Sequence, residues 1–253
     1  MAANVYLYML YNTKAASVMT IDISQLQAAT IAIKKTTPPF DVLTDKEFEL
    51  MKDAHEVRQY KQNEIIYNEG DAANGLCMLL TGKVKIFKLG IGGREQIVKL
   101  AKANDFIGYR AVIADECHSA SAVALEDCRI AFIPKETLRQ VLAQNNQLCQ
   151  YLIKSLAAEL RFSRYRSVTL SQKQLRGRLA ESLLVLRDKY GYIHGNTLNV
   201  NLSREDMANL SNMSTSNAIR TLSNFVSENL IAVQGRQISI INEPLLERIS
   251  QLG

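Results

Sequence analysis

The stretch that most constrains this chain runs from Leu202 to Leu222, L-S-R-E-D-M-A-N-L-S-N-M-S-T-S-N-A-I-R-T-L. It reads as two short helices with a tight break between them. Ser203 is placed to cap the first, with Asp206 three residues on as the reciprocal partner of a capping box. Met207 and Leu210 give that helix its buried stripe. Asn212 can take the left-handed conformation that ends it. Ser214 caps the second helix, in which Ala218, Ile219 and Leu222 fall at helical spacing. Outside that stripe lie Thr215, Ser216, Asn217, Arg220 and Thr221: short hydrogen-bonding side chains and one arginine, gathered at a helix N-terminus. Such a helix suits the major groove of duplex DNA, where amides and hydroxyls hold phosphates and Arg or Asn reads base edges. A solvated helical hairpin would have the same outline, so the neighbouring sequence has to separate the two.

It does. Residues 229–233, the dipeptide Gln234-Gly235 and the alternating run 237–241 read as a β-hairpin with glycine at its turn. Residues 190–201 carry a second hairpin with H-G-N at its tip. Two short helices followed directly by a small hairpin make a winged helix, which points to DNA as the partner.

The whole chain has 253 residues, 47% of them hydrophobic, which suits two modest domains with real cores and excludes a disordered chain. Its net charge of +5 accommodates an anionic partner. The cysteines Cys77, Cys117, Cys128 and Cys149 form no C-x-x-C pair and have no histidine at zinc spacing. They read as scattered, mostly buried thiols of a reducing cytoplasm. No apolar run is long enough to span a bilayer, so no membrane partner is expected. Residues 1–37 form an extension of open character. N-V-Y-L-Y-M-L-Y lacks a preceding basic residue, Ala15-Ala16-Ser17 imitates a cleavage site, and Met19 is an alternative start.

From Pro38-Pro39 onward the organisation is clear. L-T-D-K-E-F-E-L-M-K begins a short helix capped by Thr44, with Glu47 at the capping-box position. Short strands then follow one another: V-R-Q-Y-K-Q-N-E-I-I-Y, G-L-C-M-L-L, V-K-I-F-K-L, E-Q-I-V-K-L, and S-A-S-A-V-A-L-E-D-C-R-I-A-F-I-P. Strands this short and regular predict a β-roll or jelly roll, with no room for crossover helices. Pro134 opens one long helix with an apolar seam of Val141, Leu142, Leu148, Leu152, Leu156 and Leu160. That helix either covers the roll or pairs with its copy in a second subunit. R-F-S-R-Y-R beyond it is a basic cluster, read as a solvated face or a phosphate contact.

In this order the chain resembles the cyclic-AMP receptor/fumarate-nitrate regulator (Crp/Fnr) family of bacterial transcription factors. The carriers are N-E-G-D at 68–71, G-K-V-K-I-F from Gly82, D-F-I-G at 105–108, L-R-G-R-L-A-E-S-L-L from Leu175, and L-S-R-E-D-M-A…S-T-S-N-A-I-R-T-L with its N-L-I wing. The resemblance implies an α+β fold. Its parts are a cyclic-nucleotide-binding-like β-roll of effector type over 38–134, a long dimerisation helix over 135–171 and a winged helix-turn-helix over 172–253. It also implies a cytoplasmic homodimer, a palindromic double-stranded operator, RNA polymerase as a protein partner and a small-molecule effector pocket in the roll, although some members use no effector. In the reading helix, family members often place a base-reading Arg or Glu in the first turn and an Arg one turn later. Here Thr215 and Ser216 occupy the first turn and Arg220 matches the later arginine, as a bidentate reader of guanine. Ser216 and Asn217 are further base-contact candidates, and Ser203, Arg204, Ser214 and Thr215 are phosphate contacts.

The departures matter as much. Cyclic-nucleotide-binding members follow F-x-G with a glutamate for the ribose and, further on, an arginine for the phosphate. Here Tyr109 follows Gly108, and His118 falls at the arginine position ahead of Ser119-Ala120. A mostly neutral histidine is a poor partner for a buried phosphate, so cyclic AMP is disfavoured, with Arg110 as the nearest substitute. The candidate effector-pocket residues are Gly108, Tyr109, Arg110, His118 and Ser119. No cysteine precedes Cys77, which disfavours an iron–sulfur cluster. Haem stays open, with His118 and His55 as axial candidates and Cys77 and Cys117 behind them. A different effector, a redox-sensitive thiol or no effector also stay open. The competing classes are a cupin-like enzyme and a protein-binding module. Three histidines, one of them His194 in the wrong domain, are too few for a mononuclear metal site, and no catalytic motif appears. No catalytic residue and no metal ligand are expected.

Overall fold

The computed structural model describes residues 40–253; the expected extension over 1–37, with its leader-like stretch and the alternative start at Met19, lies outside the described residues. Helix α1 (Asp45–Ala54) begins at a complete capping box: Thr44 Oγ1 accepts from the Glu47 amide, and the Glu47 carboxylate accepts from the Thr44 amide at 2.8 Å. Its apolar side buries Phe48 and Met51.

The roll consists of β1 (Glu56–Tyr60), β2 (Ile65–Tyr67), β3 (Gly75–Thr81), β4 (Lys83–Leu89), β5 (Glu95–Lys102), β6 (Phe106–Ile107), β7 (Ser121–Ala124) and β8 (Cys128–Pro134). They form two four-stranded sheets, ordered β1-β8-β3-β6 and β2-β7-β4-β5, with every pairing antiparallel. Two expected strands are each divided in two. Asn63, at φ 68, turns the chain between β1 and β2 and sends them to different sheets. The Glu126-Asp127 corner does the same between β7 and β8. Strand β3 is buried along most of its length rather than alternately, because it is central in its sheet and helices also pack on it. Gly82 closes the β3–β4 turn at φ +97, where a Cβ would lie 2.5 Å from Cys128 Sγ. A short helix, α2 (Tyr109–Ala114), follows Gly108 and was not expected. It leads from β6 of one sheet to β7 of the other, so it is no crossover within a sheet.

The single helix expected over 135–171 is broken. Helix α3 (Lys135–Leu142) ends, and α4 (Asn146–Gln172) starts afresh at Asn145. Asn145 is buried in an extended conformation; its Oδ1 accepts from the Leu148 amide at 2.8 Å. Its Nδ2 donates to the Val42 carbonyl at 3.0 Å and to Glu47 at 2.8 Å. A side chain satisfied this way competes successfully with a continuous backbone helix. The first turns of α4 bury Leu148 and Leu152, whereas Leu160, expected in the same seam, is exposed.

The C-terminal part comprises α5 (Leu175–Tyr190), the hairpin β9 (Tyr192–Ile193) and β10 (Thr197–Leu198), α6 (Arg204–Ser211), α7 (Thr215–Ser227), β11 (Ile231–Gln234), β12 (Gln237–Ile240) and α8 (Glu243–Leu252). The wing sheet is ordered β11-β12-β10-β9. Pairing of Gln234 with Gln237 makes Gly235-Arg236 the turn, one residue later than expected, and Asn229, at φ 55, lies outside the strand. One apolar cluster holds Leu183, Met207, Leu222 and Phe225 of this part together with Phe87, Ile97, Leu100 and Leu125 of the roll. Among the described residues, no helix is long and apolar enough to cross a membrane.

Candidate nucleic-acid interface and effector cavity

Helices α6 and α7 are built as their caps dictate. Ser203 and Asp206 form a full capping box: the hydroxyl accepts from the Asp206 amide at 2.9 Å and donates to the Asp206 carboxylate at 2.6 Å. Asn212 ends α6 in the left-handed conformation, at φ 50 and ψ 57. Ser214 caps α7, its hydroxyl accepting from the Asn217 amide at 3.3 Å and lying 3.1 Å from that of Ser216. The buried stripe of α7 is Ala218, Thr221, Leu222 and Phe225. This corrects the expected stripe at two positions. Ile219 is 47% exposed, while Thr221 is buried with its hydroxyl donating to the Asn217 carbonyl at 2.8 Å. A threonine so satisfied loses little by burial.

Thr215, Ser216 and Arg220 are exposed on α7, and Asn217 is half-buried. Arg220 Nη2 donates to Asn217 Oδ1 at 2.9 Å, which aligns the guanidinium along the helix face. Ser203 and Arg204 sit at the start of α6, both already engaged. Ser203 is held in the capping box, and Arg204 Nη2 donates to the Gly235 carbonyl at the wing tip at 2.8 Å. Arg204 thus ties the wing tip to the start of α6.

A cavity of about 1090 Å³ lies between the roll and helices α4 and α5, with Leu210 of α6 also in its lining. All the pocket candidates (Gly108, Tyr109, Arg110, His118 and Ser119) line it. His118 is buried and stacks on Tyr67, centroids 3.9 Å apart, with its backbone tied to the N-E-G-D turn through Asp71 and Gly70. Burial holds its imidazole below the ordinary histidine range, and Asp71 offsets part of that. Gly108 takes φ +73 and lies directly against the ring. Tyr109 is buried with the Lys99 ammonium 5.2 Å from its ring; burial and then Glu159 push its phenol up. Arg110 is engaged with Glu116 at 2.7 Å, and the Ser119 carbonyl accepts from Lys88 at 3.0 Å. Lys99 pairs with Glu159 of α4, and Lys189 of α5 with Asp105 at 2.5 Å. Tyr67, Lys99, Tyr151 and Glu159 were missed by sequence reading. They come from distant segments and share no local motif.

Of the haem-ligand candidates, His118 alone lines the cavity. His55 caps α1, its Nδ1 at 2.5 Å from the Lys52 carbonyl. Cys77 is buried with its thiol pushed up to about 11 by burial, and Cys117 is exposed outside the cavity lining. The His118 ring is already stacked on Tyr67. Among the described residues there is also no His/Cys/Asp/Glu cluster that could hold a metal ion.

The cyclic nucleotide-binding domain family matches residues 57–145, and the Crp-like helix-turn-helix domain family matches residues 177–249. The two follow one another in the order that the fold displays. The chain belongs to the Crp/Fnr family of transcription regulators. Like its relatives, this Crp/Fnr member is a DNA-binding regulator and not an enzyme. The cyclic AMP receptor protein of Thermus thermophilus is 26% identical over 217 residues, covering 85% of this chain and 98% of that protein. The CRP-like cAMP-activated global transcriptional regulator of Mycobacterium tuberculosis is 25% identical over 191 residues, covering 75% and 85%. The structure of FixK2 from Bradyrhizobium japonicum shares the fold, with a TM-score of 0.70, 23% identity and coverage of 77% of this chain and 96% of that one.

Proposed function

We propose that this regulator acts in the cytoplasm as a homodimer that reads a palindromic operator with α7. In this reading residues 38–134 are the sensing domain, 135–171 the dimerisation segment and 172–253 the DNA-binding domain. The observation that carries it is the α7 face, where Thr215, Ser216 and Arg220 stand exposed at a capped N-terminus while the opposite stripe is buried. Arg220 reads a guanine through O6 and N7, with Ser216 and Asn217 beside it. Ser214 and Thr215 hold phosphate, as do Ser203 and Arg204 at the start of α6. RNA polymerase is the expected protein partner on the promoter. An effector, where one acts, enters the cavity under Gly108, Tyr109, Arg110, His118 and Ser119. Arg110 pairs with Glu116 and burial keeps the His118 imidazole below its ordinary range, which supports a ligand other than cyclic AMP. Such a ligand shifts DNA affinity by binding two arrangements of the helices unequally.

The test is selection from a random duplex library with ligand-free protein at one stated salt concentration. Enrichment of a palindrome with half-sites about one helical turn apart is expected. Replacing Arg220 with Ala should then cost about 1–3 kcal/mol and relax a single base position. Equal loss on every sequence would reassign Arg220 to a phosphate. Absence of salt-sensitive DNA binding would sink the reading.

A further inference from the structure

We propose that Lys85, Arg94 and Gln96, on the β4–β5 hairpin of the roll, are positioning residues for DNA reading. They clamp α6 at both ends and so set the angle at which α7 is offered to DNA. At the first turn of α6, Lys85 Nζ lies 2.7 Å from Asp206, the same carboxylate that completes the capping box with Ser203, and 2.7 Å from Glu95. At the other end, Arg94 Nη2 donates to Asn212 Oδ1 at 2.8 Å, on the left-handed residue that terminates the helix. Gln96 Nε2 donates to the Asn209 carbonyl at 2.8 Å. Arg166 of α4 donates to the Leu210 carbonyl at 2.8 Å.

The last carbonyls of any helix lack partners within it. In α6 those of Asn209 and Leu210 find theirs on the roll and on the long helix, so docking satisfies them within the chain. A hold at one end would fix a position; a hold at both ends fixes a direction. Beneath these contacts Phe87 and Ile97 join the apolar cluster of the reader, and the Lys85–Asp206 pair is largely shielded from solvent. Meanwhile Thr215, Ser216 and Arg220 remain exposed, so docking presents the reading surface. Apolar contact alone would tolerate rotation, whereas directional hydrogen bonds at two points do not.

The consequence concerns two half-sites. Once one reader is bound, the second binds intramolecularly, and its gain depends on both readers being held at the right spacing and angle. This inference therefore rests on the dimeric, palindrome-reading function. The experiment measures Kd of the full chain for the selected palindrome and for a duplex with one half-site, at fixed salt. The proteins are wild type, Lys85→Met, Lys85→Arg and the double variant Arg94→Ala/Gln96→Ala. The double variant strands no buried charge, and so it decides the matter if Lys85→Met fails to fold.

The expected result is a loss of about tenfold on the palindrome with half-site binding unchanged, and recovery in Lys85→Arg. Wild type that binds palindrome and half-site equally would defeat the dimeric reading underneath. Wild type that prefers the palindrome, with the double variant retaining that preference, would overturn the positioning role. So would an equal loss on both duplexes, which is what a general folding defect produces.

Discussion

Gly108 and His118 meet in the lining of the cavity, and the contact decides what either residue can become. Gly108 takes φ +73, and a Cβ there would stand 2.7 Å from His118 Cε1 and 3.5 Å from Tyr67 Cε1. The His118 ring cannot simply swing aside, because it is stacked on Tyr67 and its main chain is bonded to both Asp71 and Gly70. Gly108→Ala therefore carries the left-handed backbone cost of about 1–2 kcal/mol plus a steric term. We expect a lower urea midpoint, with His118→Ala in the same chain recovering the steric part and leaving the backbone part. Strict additivity in that double-mutant cycle would show that the ring is not the obstacle. The imidazole packs against Gly108 and Tyr67, with the Asp71 carboxylate acting on it as well.

At the scale of elements, the break before α4 is the feature most open to test. Asn145 supplies the N-cap acceptor for Leu148 and two donated bonds to Val42 and Glu47, and it is buried. Asn145→Ala should destabilise the chain by about 1–2 kcal/mol, read as a shift of the urea midpoint at unchanged slope. Asn145→Asp keeps the acceptor but loses both donors and places a second carboxylate beside Glu47, so it should also destabilise. If Asn145→Asp matches wild type, the bonds to Val42 and Glu47 hold nothing.

The same residue shows where sequence reading stops. The capping boxes at Thr44/Glu47 and Ser203/Asp206 were legible because every partner lies within three residues. The break at Asn145 was not, since Val141 and Leu148 keep helical spacing across it and its deciding partners are remote in sequence. Thr221 was placed outside the stripe and Ile219 inside by hydrophobicity, but a hydroxyl bonded to the Asn217 carbonyl removes that reason. Helix α2 is a short apolar run whose form depends on the left-handed Gly108. Of the cavity, the Gly108–Ser119 side followed from the family resemblance. Tyr67, Lys99 and Glu159 required the tertiary fold.

At the scale of the whole molecule, the long helix carries a surface the chain does not cover. Ile153 is 63% exposed and Leu160 is 53% exposed, and Ala157 between them is also exposed. This four-then-three spacing is that of one coiled-coil heptad, and the next two seam positions are Arg164 and Ser167. A second copy of the same helix is the occupant the proposed dimer supplies, across a two-fold axis that makes each residue face its own counterpart. Ile153→Lys combined with Leu160→Lys would set like charges against each other there. The variant should sediment as a monomer and lose palindrome binding down to the level of a single half-site. Its thermal unfolding should otherwise stay cooperative, because neither side chain supports the core of its own chain. A variant that sediments as wild type does would place the interface elsewhere. Wild type that is itself monomeric at the concentrations where it selects a palindrome would leave two independent readers, and the exposed seam would then need another partner. The spacing of Ile153, Ala157 and Leu160 argues for the helix pair, since an exposed apolar heptad on a long helix matches the same heptad of a second copy.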